Sequence, residues 1–205
     1  MCIRDSEKDL DSIVKACEKH KDNPKVQGLL FDYYHFFGDY DHYLPFHGWY
    51  KNEIRVVKNN CSVYSYKDAQ SFRRKDNEKL NVVKANAHIY HYGWVRPPEL
   101  MQSKKKEQDS MHHGREVISG EYKLKPNEFD YGPLGKIPNF KGTHPEVMNA
   151  LMARIEWKHK LNQSSKGKLN RAPMKHEQPK YRFLSSIERM IGRDFFPYTN
   201  WHLVK

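Results

Sequence analysis

Apolar residues in the stretch 7–22 recur at Leu10, Ile13, Val14 and Cys17, the i, i+3, i+4, i+7 spacing of one helix face. Asn23-Pro24 stops that helix. The period then changes. Residues 26–37 (VQGLLFDYYHFF) are apolar on both parities, which predicts a strand covered on two faces with neighbours on each side. Short strands follow at 53–58, closed by Asn59-Asn60, and at 62–66, and a longer one at 82–92. Pro97-Pro98 opens a helix to about residue 113, since proline fits a first helical turn. Residues 114–141, interrupted by glycine and proline, read as irregular. Thr143-His-Pro-Glu146 reads as a capping box, in which Thr143 accepts from the third helical amide and Glu146 reaches back. The helix behind it carries Val147, Met148, Leu151, Met152 and Ile155 as its apolar stripe. Residues 162–178 are polar and read as mobile. Phe183, Leu184, Ile187, Met190 and Ile191 mark a last helix, ended by Gly192.

The chain's 205 residues suffice for one cored domain with an appendage. Aromatics make up 13%, and Tyr and Trp bury area while keeping a polar tip, which suits sugar- or nucleotide-facing surfaces as well as a core. The net charge of +11 permits an anionic partner: nucleic acid, a nucleotide-sugar diphosphate or an acidic membrane. Without zinc-finger spacing or an RNP-like aromatic motif, nucleic acid is the least favoured of these. Cys2, Cys17 and Cys61 form neither a disulfide framework nor a Cys-x-x-Cys site, so the cytoplasm is the expected compartment. No apolar run approaches the ~20 residues that span a bilayer. Residues 1–6 are too short and polar for a signal peptide. They look like translated adapter sequence, so native sequence is expected to start near Glu7, downstream of a lost N-terminal part.

Candidate chemistry gathers in three segments. The first is His88-Ile-Tyr-His91-Tyr-Gly-Trp94-Val-Arg96-Pro97-Pro98, read as a strand ending on His91, then a turn and a helix. Strand alternation puts Ala85, Ala87, Ile89 and His91 on one face and Asn86, His88, Tyr90 and Tyr92 on the other. His88 and His91 therefore cannot chelate one ion, and His91, last on its face, points to the sheet edge where α/β folds bind ligands. A histidine bonded to a backbone carbonyl is the plain alternative. The second segment is Trp49-Tyr-Lys-Asn-Glu53-Ile-Arg55, and the third is Ser65-Tyr-Lys-Asp68-Ala-Gln-Ser-Phe72-Arg73. Arg55, Arg73 and Arg96 suit phosphate oxygens; Trp49, Tyr50 and Trp94 suit a sugar ring or a core. Asp39, Asp41, His42 and His47 crowd one loop, read as a polar acceptor-facing loop rather than a metal cluster. Lys104-Lys105-Lys106 must be solvated or touch an anion, and His112-His113 reads as a solvated helix end.

Together these segments resemble bacterial family 2-like glycosyltransferases of the glycosyltransferase A fold, over nearly the whole chain from Glu7. The resemblance implies the C-terminal part of such a domain, α/β with a mixed sheet, over 7–113, and an irregular and helical extension over 114–205. It implies transfer of a sugar from a nucleotide-sugar donor to a hydroxyl acceptor, a glycan or a lipid-linked molecule, with inversion. Such a reaction needs a carboxylate to take the acceptor's proton. Asp68 is the first candidate, with a helix N-cap as its alternative. Glu53 is the second, with a local ion pair as its alternative. Arg55 and Arg96 would hold the diphosphate, Trp49 and Trp94 the sugar, and His91 a divalent metal, Mn2+ or Mg2+. The metal's main carboxylates would lie upstream, so this chain alone is expected to lack activity. Ser71 departs from the glycine expected before Phe72-Arg73. The basic last helix, with Lys180, Arg182, Arg189 and Arg193, is expected to dock on the domain; lying on an anionic membrane at the inner face is the alternative. A non-catalytic basic module for anionic ligands or nucleic acid is the alternative function.

Overall fold

The computed structural model describes residues 3–59, 62–66, 71–195 and 199–204. Asp68, in the segment 67–70, lies outside the described residues. The chain is α/β, and its main sheet is mixed. Strand β1 (Ile3–Asp5) leads into helix α1 (Glu7–His20), then strands β2 (Gly28–Phe37) and β3 (Asn52–Val57). A separate hairpin pairs β4 (Tyr64–Tyr66) with β5 (Ser71–Arg73), and the long strand β6 (Leu80–Trp94) follows.

The sheet runs β1-β6-β2-β3. β2 pairs in parallel with β6 and antiparallel with β3, as a strand apolar on both parities requires. Leu29, Phe31 and Tyr33 pack with Ala85, Ala87 and Ile89 beneath α1 residues Ile13, Ala16 and Cys17. The opposite parity of β2 supplies Leu30 to a cluster with Ile54, Leu80 and Val82, and Phe36 to another with Tyr90, Tyr92 and Met148.

β6 continues three residues past His91, so the strand does not end on that histidine. Two irregularities bend it. Leu30 faces Lys84 while Asp32 faces His88, and Asn86, at φ 53°, sits in the surplus. A second shift separates the pairs His35–His91 and Phe37–Trp94. Such bulges increase twist and re-aim side chains.

Helix α2 (Pro98–His113) begins at the prolines as predicted. Gly114, at φ 89°, turns the chain into α3 (Arg115–Tyr122), a helix where the composition suggested none. The capping box does not form. The Thr143 hydroxyl accepts from the Lys8 ammonium, and the Glu146 amide donates to the Glu7 carboxylate. Deprived of its cap, the predicted helix shrinks to a 3-10 turn and the four-residue α4 (Asn149–Met152), leaving Val147 and Leu151 exposed.

The polar stretch 162–178 is built into the structure. Asn162 and Ser164 carbonyls accept from Leu134 and Gly135, Arg171 grips Glu177 through two nitrogens, and His176 is 2% exposed. Phe129, Tyr131, Leu134, Ile137 and Leu161 share one cluster with Phe37, Leu44, Phe46 and Met101. The extension is therefore not only helical. Its β7 (Trp201–Leu203) also joins the sheet, on the Leu80–Val82 end of β6.

Helix α5 (Pro179–Ile191) docks on a face rotated from the one predicted, with Leu184 and Ile187 half-buried at its edge. Ser185 and Glu188 are buried, with Ser185 accepting from the His47 amide and Glu188 holding the His47 ring at 2.7 Å. Phe183, Met190 and Ile191 are 66%, 85% and 56% exposed. Specific acceptors for His47 set the helix's rotation, and the Phe183, Met190 and Ile191 part of the stripe faces out. Among the described residues, no helix is long and apolar enough to cross a membrane.

Candidate functional site

Strand alternation in β2 sends Tyr33 and His35 to the side that bears Phe31 and Phe37. The neighbouring strands aim Glu53, Arg55 and His91 at the same place. Arg55 owes its position to a bulge: Leu29 faces Val56 and Leu30 faces Ile54, so Arg55 between them is surplus to the ladder. Its guanidinium donates to the Tyr33 hydroxyl at 2.7 Å and to the Glu53 carboxylate. It also lies 5.4 Å from the centre of the Tyr33 ring.

His35 and His91 are partners in register, and their rings meet, Nδ1 to Nδ1, at 3.1 Å. His35 Nε2 lies 2.8 Å from the Tyr50 carbonyl, which can only accept. The proton of a neutral His35 is thereby fixed on Nε2, its Nδ1 accepts, and His91 Nδ1–H donates. Both rings are held neutral. Burial pulls His35 down to about 4, and burial together with the His35, Lys104 and Arg55 charges pulls His91 down to about 3.

Glu53 is 7% exposed, and burial raises its carboxyl to about 7 against the opposing pull of Arg55 and the Tyr33 hydrogen bond. Desolvation wins because Arg55 is itself shared with Tyr33. Burial also lifts the Tyr33 phenol well above its usual range and the Tyr50 phenol to about 12. The result is a hydrogen-bonded nest of two neutral imidazoles, two phenols and one guanidinium around a carboxyl raised toward 7.

Aromatic rings wall this nest. Trp49 lies 5.5 Å from His35 and 6.0 Å, edge on, from Trp94. Both tryptophans are partly buried against the cluster of Phe37 and Tyr131. Tyr50, edge on to His35 at 4.5 Å, is 43% exposed and is the open ring of the group. Lys104, expected in solvent or on an anion, instead turns inward, donating to the Gly93 carbonyl at 2.6 Å and lying 6.0 Å from the Trp94 ring.

Of the residues singled out in the sequence, Trp49, Tyr50, Glu53, Arg55, His91 and Trp94 thus come together. Arg96 lies beside Tyr131, whose hydroxyl donates to the Arg96 carbonyl at 2.9 Å. Arg73 binds Asn200 through its backbone and side chain, over the Tyr66 ring. Ser71, buried there, also points its hydroxyl at the Asn200 carbonyl. His88 leaves the opposite face of β6, stacks on Tyr34 at 5.1 Å and meets Asp9 at 3.3 Å. The Asp39 carboxylate is spent on the Asp41 and His42 amides and the His42 ring, closing its own loop. His112 and His113 are exposed, as expected. Tyr33 and His35 escaped notice, although polar-tipped rings two apart in an otherwise apolar strand are a legible signal.

A hard divalent ion requires several oxygen ligands. Among the described residues no three His, Cys, Asp or Glu side chains converge. His91 has given its Nδ1 to His35, and its Nε2 is turned onto Gly93, where a Cβ would stand 2.5 Å away. These residues do not fit Mn2+ or Mg2+ on their own. Comparison of the chain with protein-family models, curated proteins and solved structures gave no match.

Proposed function

We propose that the protein is part of a glycosyltransferase that moves a sugar from a nucleotide-sugar donor to a hydroxyl of a glycan or lipid-linked acceptor. The observation that carries this reading is the Glu53 carboxyl, buried and raised to about 7 beside Arg55. A base with its pKa near the working pH takes a proton effectively without being too strong to release it. In the proposed step Glu53 accepts the acceptor hydroxyl's proton as that oxygen attacks the anomeric carbon. The bond from that carbon to the diphosphate oxygen breaks, and the pair of electrons leaves with the diphosphate. Arg55, at the rim of the nest, is placed to meet developing negative charge with a planar fork of donors. Tyr50 offers an exposed ring for a sugar to rest on. The neutral His35–His91 pair acts as scaffold, fixing the β2–β6 register on which the nest depends.

Peripheral contact with an anionic membrane belongs to the same reading, because a lipid-linked acceptor is presented there. Its support is the outward apolar face of α5, flanked by exposed Lys180 and Arg193.

The reading is tested by nucleoside diphosphate release from a panel of nucleotide sugars. Glu53→Gln should lower turnover by ~10²-fold or more with little change in donor KM. Asp68→Asn, run in parallel, decides between the two carboxylates. Full activity in Glu53→Gln would remove Glu53 from the reaction.

A further inference from the structure

Two cavities lie beside α5, lined by none of the residues around Glu53. The outer, of about 290 Å3, is lined by Phe46, Lys136, Ile137, Arg182, Ser185 and Arg189 among others. The inner, of about 360 Å3, is lined by Tyr131, Leu169, His176, Glu177 and again Lys136, Ile137 and Arg182. Their common wall makes them one groove with a cationic mouth and an aromatic and aliphatic interior.

The charges at the mouth are uncompensated. Among the described residues, Lys136, Arg182 and Arg189 enter no ion pair, and Glu177 at the inner wall is already gripped by Arg171 through two nitrogens. Three cations brought to one opening by two different segments repel one another unless an anion sits between them.

His176 supplies the second observation. It is 2% exposed, and neither of its ring nitrogens has a hydrogen-bond partner. Phe37 and Phe46 hold the ring at 5.0 and 5.8 Å, so it cannot swing out to solvent. A buried imidazole without partners costs stability, and such groups in folded proteins call for an explanation. An imidazole carries one donor and one acceptor when neutral, the pair that recognises a hydroxyl group.

We propose that this groove binds a small phosphate ester with a hydroxyl-bearing body, its phosphate between Lys136, Arg182 and Arg189 and its body against Tyr131, Leu169 and His176. The cavity sizes match those of small-ligand pockets, about 300 Å3 and upward. A bare phosphate would satisfy the mouth and leave His176 unpartnered, so the ester binds more tightly than the free anion. The groove shares no lining residue with the Glu53 nest, although His176 lies 5.9 Å from Trp49 at the nest's wall, and the proposal does not depend on the sugar-transfer reading.

The test is titration of the isotope-labelled protein with inorganic phosphate and with a hexose 6-phosphate, following the His176 ring nitrogens and the Arg182 Nε. The hexose phosphate should bind saturably, at least ~10-fold more tightly than phosphate, and should shift both signals. Arg182→Gln should weaken it at least ~10-fold at unchanged melting temperature, while Lys15→Gln on exposed α1 should not. His176→Gln should narrow the preference for the ester; where that variant does not fold, Arg182→Gln and the two-probe comparison still decide. Equal affinity for the two probes, no saturation by about 10 mM, or equal losses in Arg182→Gln and Lys15→Gln would each overturn the proposal.

Discussion

Gly93 shows how one missing Cβ arranges a site. The residue lies two positions beyond His91, where an added methyl carbon would stand 2.5 Å from His91 Nε2 and 2.6 Å from its Cε1. The imidazole is already pinned on its other side by His35 and Tyr33. Gly93→Ala must therefore push the ring off the strand and lengthen the His35–His91 bond. Overpacking of this kind costs about 1–3 kcal/mol, so the melting temperature should fall by several degrees. Urea titration of the variant, read beside the His35 and His91 ring resonances, checks both halves. A variant with unchanged stability and resonances would show that the ring has room to spare. At this scale the sequence was partly readable. Alternation correctly sent His88 and His91 to opposite faces of β6, because that parity holds on both sides of the Asn86 bulge. It did not reveal the partner of His91, because cross-strand register depends on where β6 bulges, and no local pattern in Tyr-His-Tyr-Gly announces that.

Helix starts and faces tell a similar story one level up. α2 was legible from its prolines and β2 from its two apolar parities, while α1 was legible as a helix but only in part as a face: Ile13 and Cys17 pack on the sheet beside Ala16, and Leu10 and Val14 stay exposed. The Thr143 cap and the α5 stripe were not, since in both places polar side chains found distant partners: Lys8 and Glu7 for the first, His47 for the second. The two accounts of Thr143 differ measurably. A true cap would lose about 0.5–2 kcal/mol on Thr143→Ala. An exposed contact with a lysine is worth ~0–1 kcal/mol at most, and the loss should fall at the bottom of that range. A chemical-denaturation midpoint shift worth more than about 1 kcal/mol would restore the cap.

The outward face of α5 yields another element-scale expectation. Phe183 and Met190, exposed on the side away from Ser185 and Glu188, should insert among headgroups. Sedimentation with vesicles rich in anionic phospholipid should pull the protein down, and the double variant Phe183→Ser, Met190→Ser should remain in the supernatant. Equal sedimentation of the two proteins would exclude α5 as the contact.

Over the whole molecule, buried titratable groups set the response to pH. Burial lowers His35, His91 and His176 from 6.5 to about 4, 3 and 4, and lowers His144 as well. Below pH 6.5 the unfolded chain binds protons on these rings that the folded chain refuses, so acid destabilises. Glu53, raised from 4.5 to about 7, opposes them: the fold keeps its proton, so its contribution fades as pH rises through that window. Four rings outweigh one carboxyl, so stability should climb from pH 4.5 to 6.5 and level off toward pH 7, where Glu53 gives up its proton. At ~1.4 kcal/mol per proton per pH unit, the midpoint in urea at pH 5 should lie well below that at pH 6.5. Equal midpoints at the two pH values would mean that these rings titrate as freely in the fold as outside it. None of this could be read from composition, since twelve histidines are only a count until burial sorts them. The α/β class, by contrast, was plain from the change of period between α1 and β2.

The outer edge of β6 carries a consequence in time. It is completed by β1 at Ile89–His91 and by β7 at Leu80–Val82. On a ribosome, β6 emerges with its Leu80 end unpaired and waits for Trp201, roughly 120 residues later. At ~5–20 residues per second, that edge stays open for about 6–24 s. An open edge templates wrong pairings. The exposed Lys84 and the left-handed Asn86 sit just beyond that gap, where a charge and a kink discourage a foreign strand. They guard this edge in the nascent chain as well as in the finished fold, where no described strand pairs with it between Val82 and Ile89. Replacing Lys84 with valine should leave the purified protein's stability little changed and send far more of each newly made batch into aggregates.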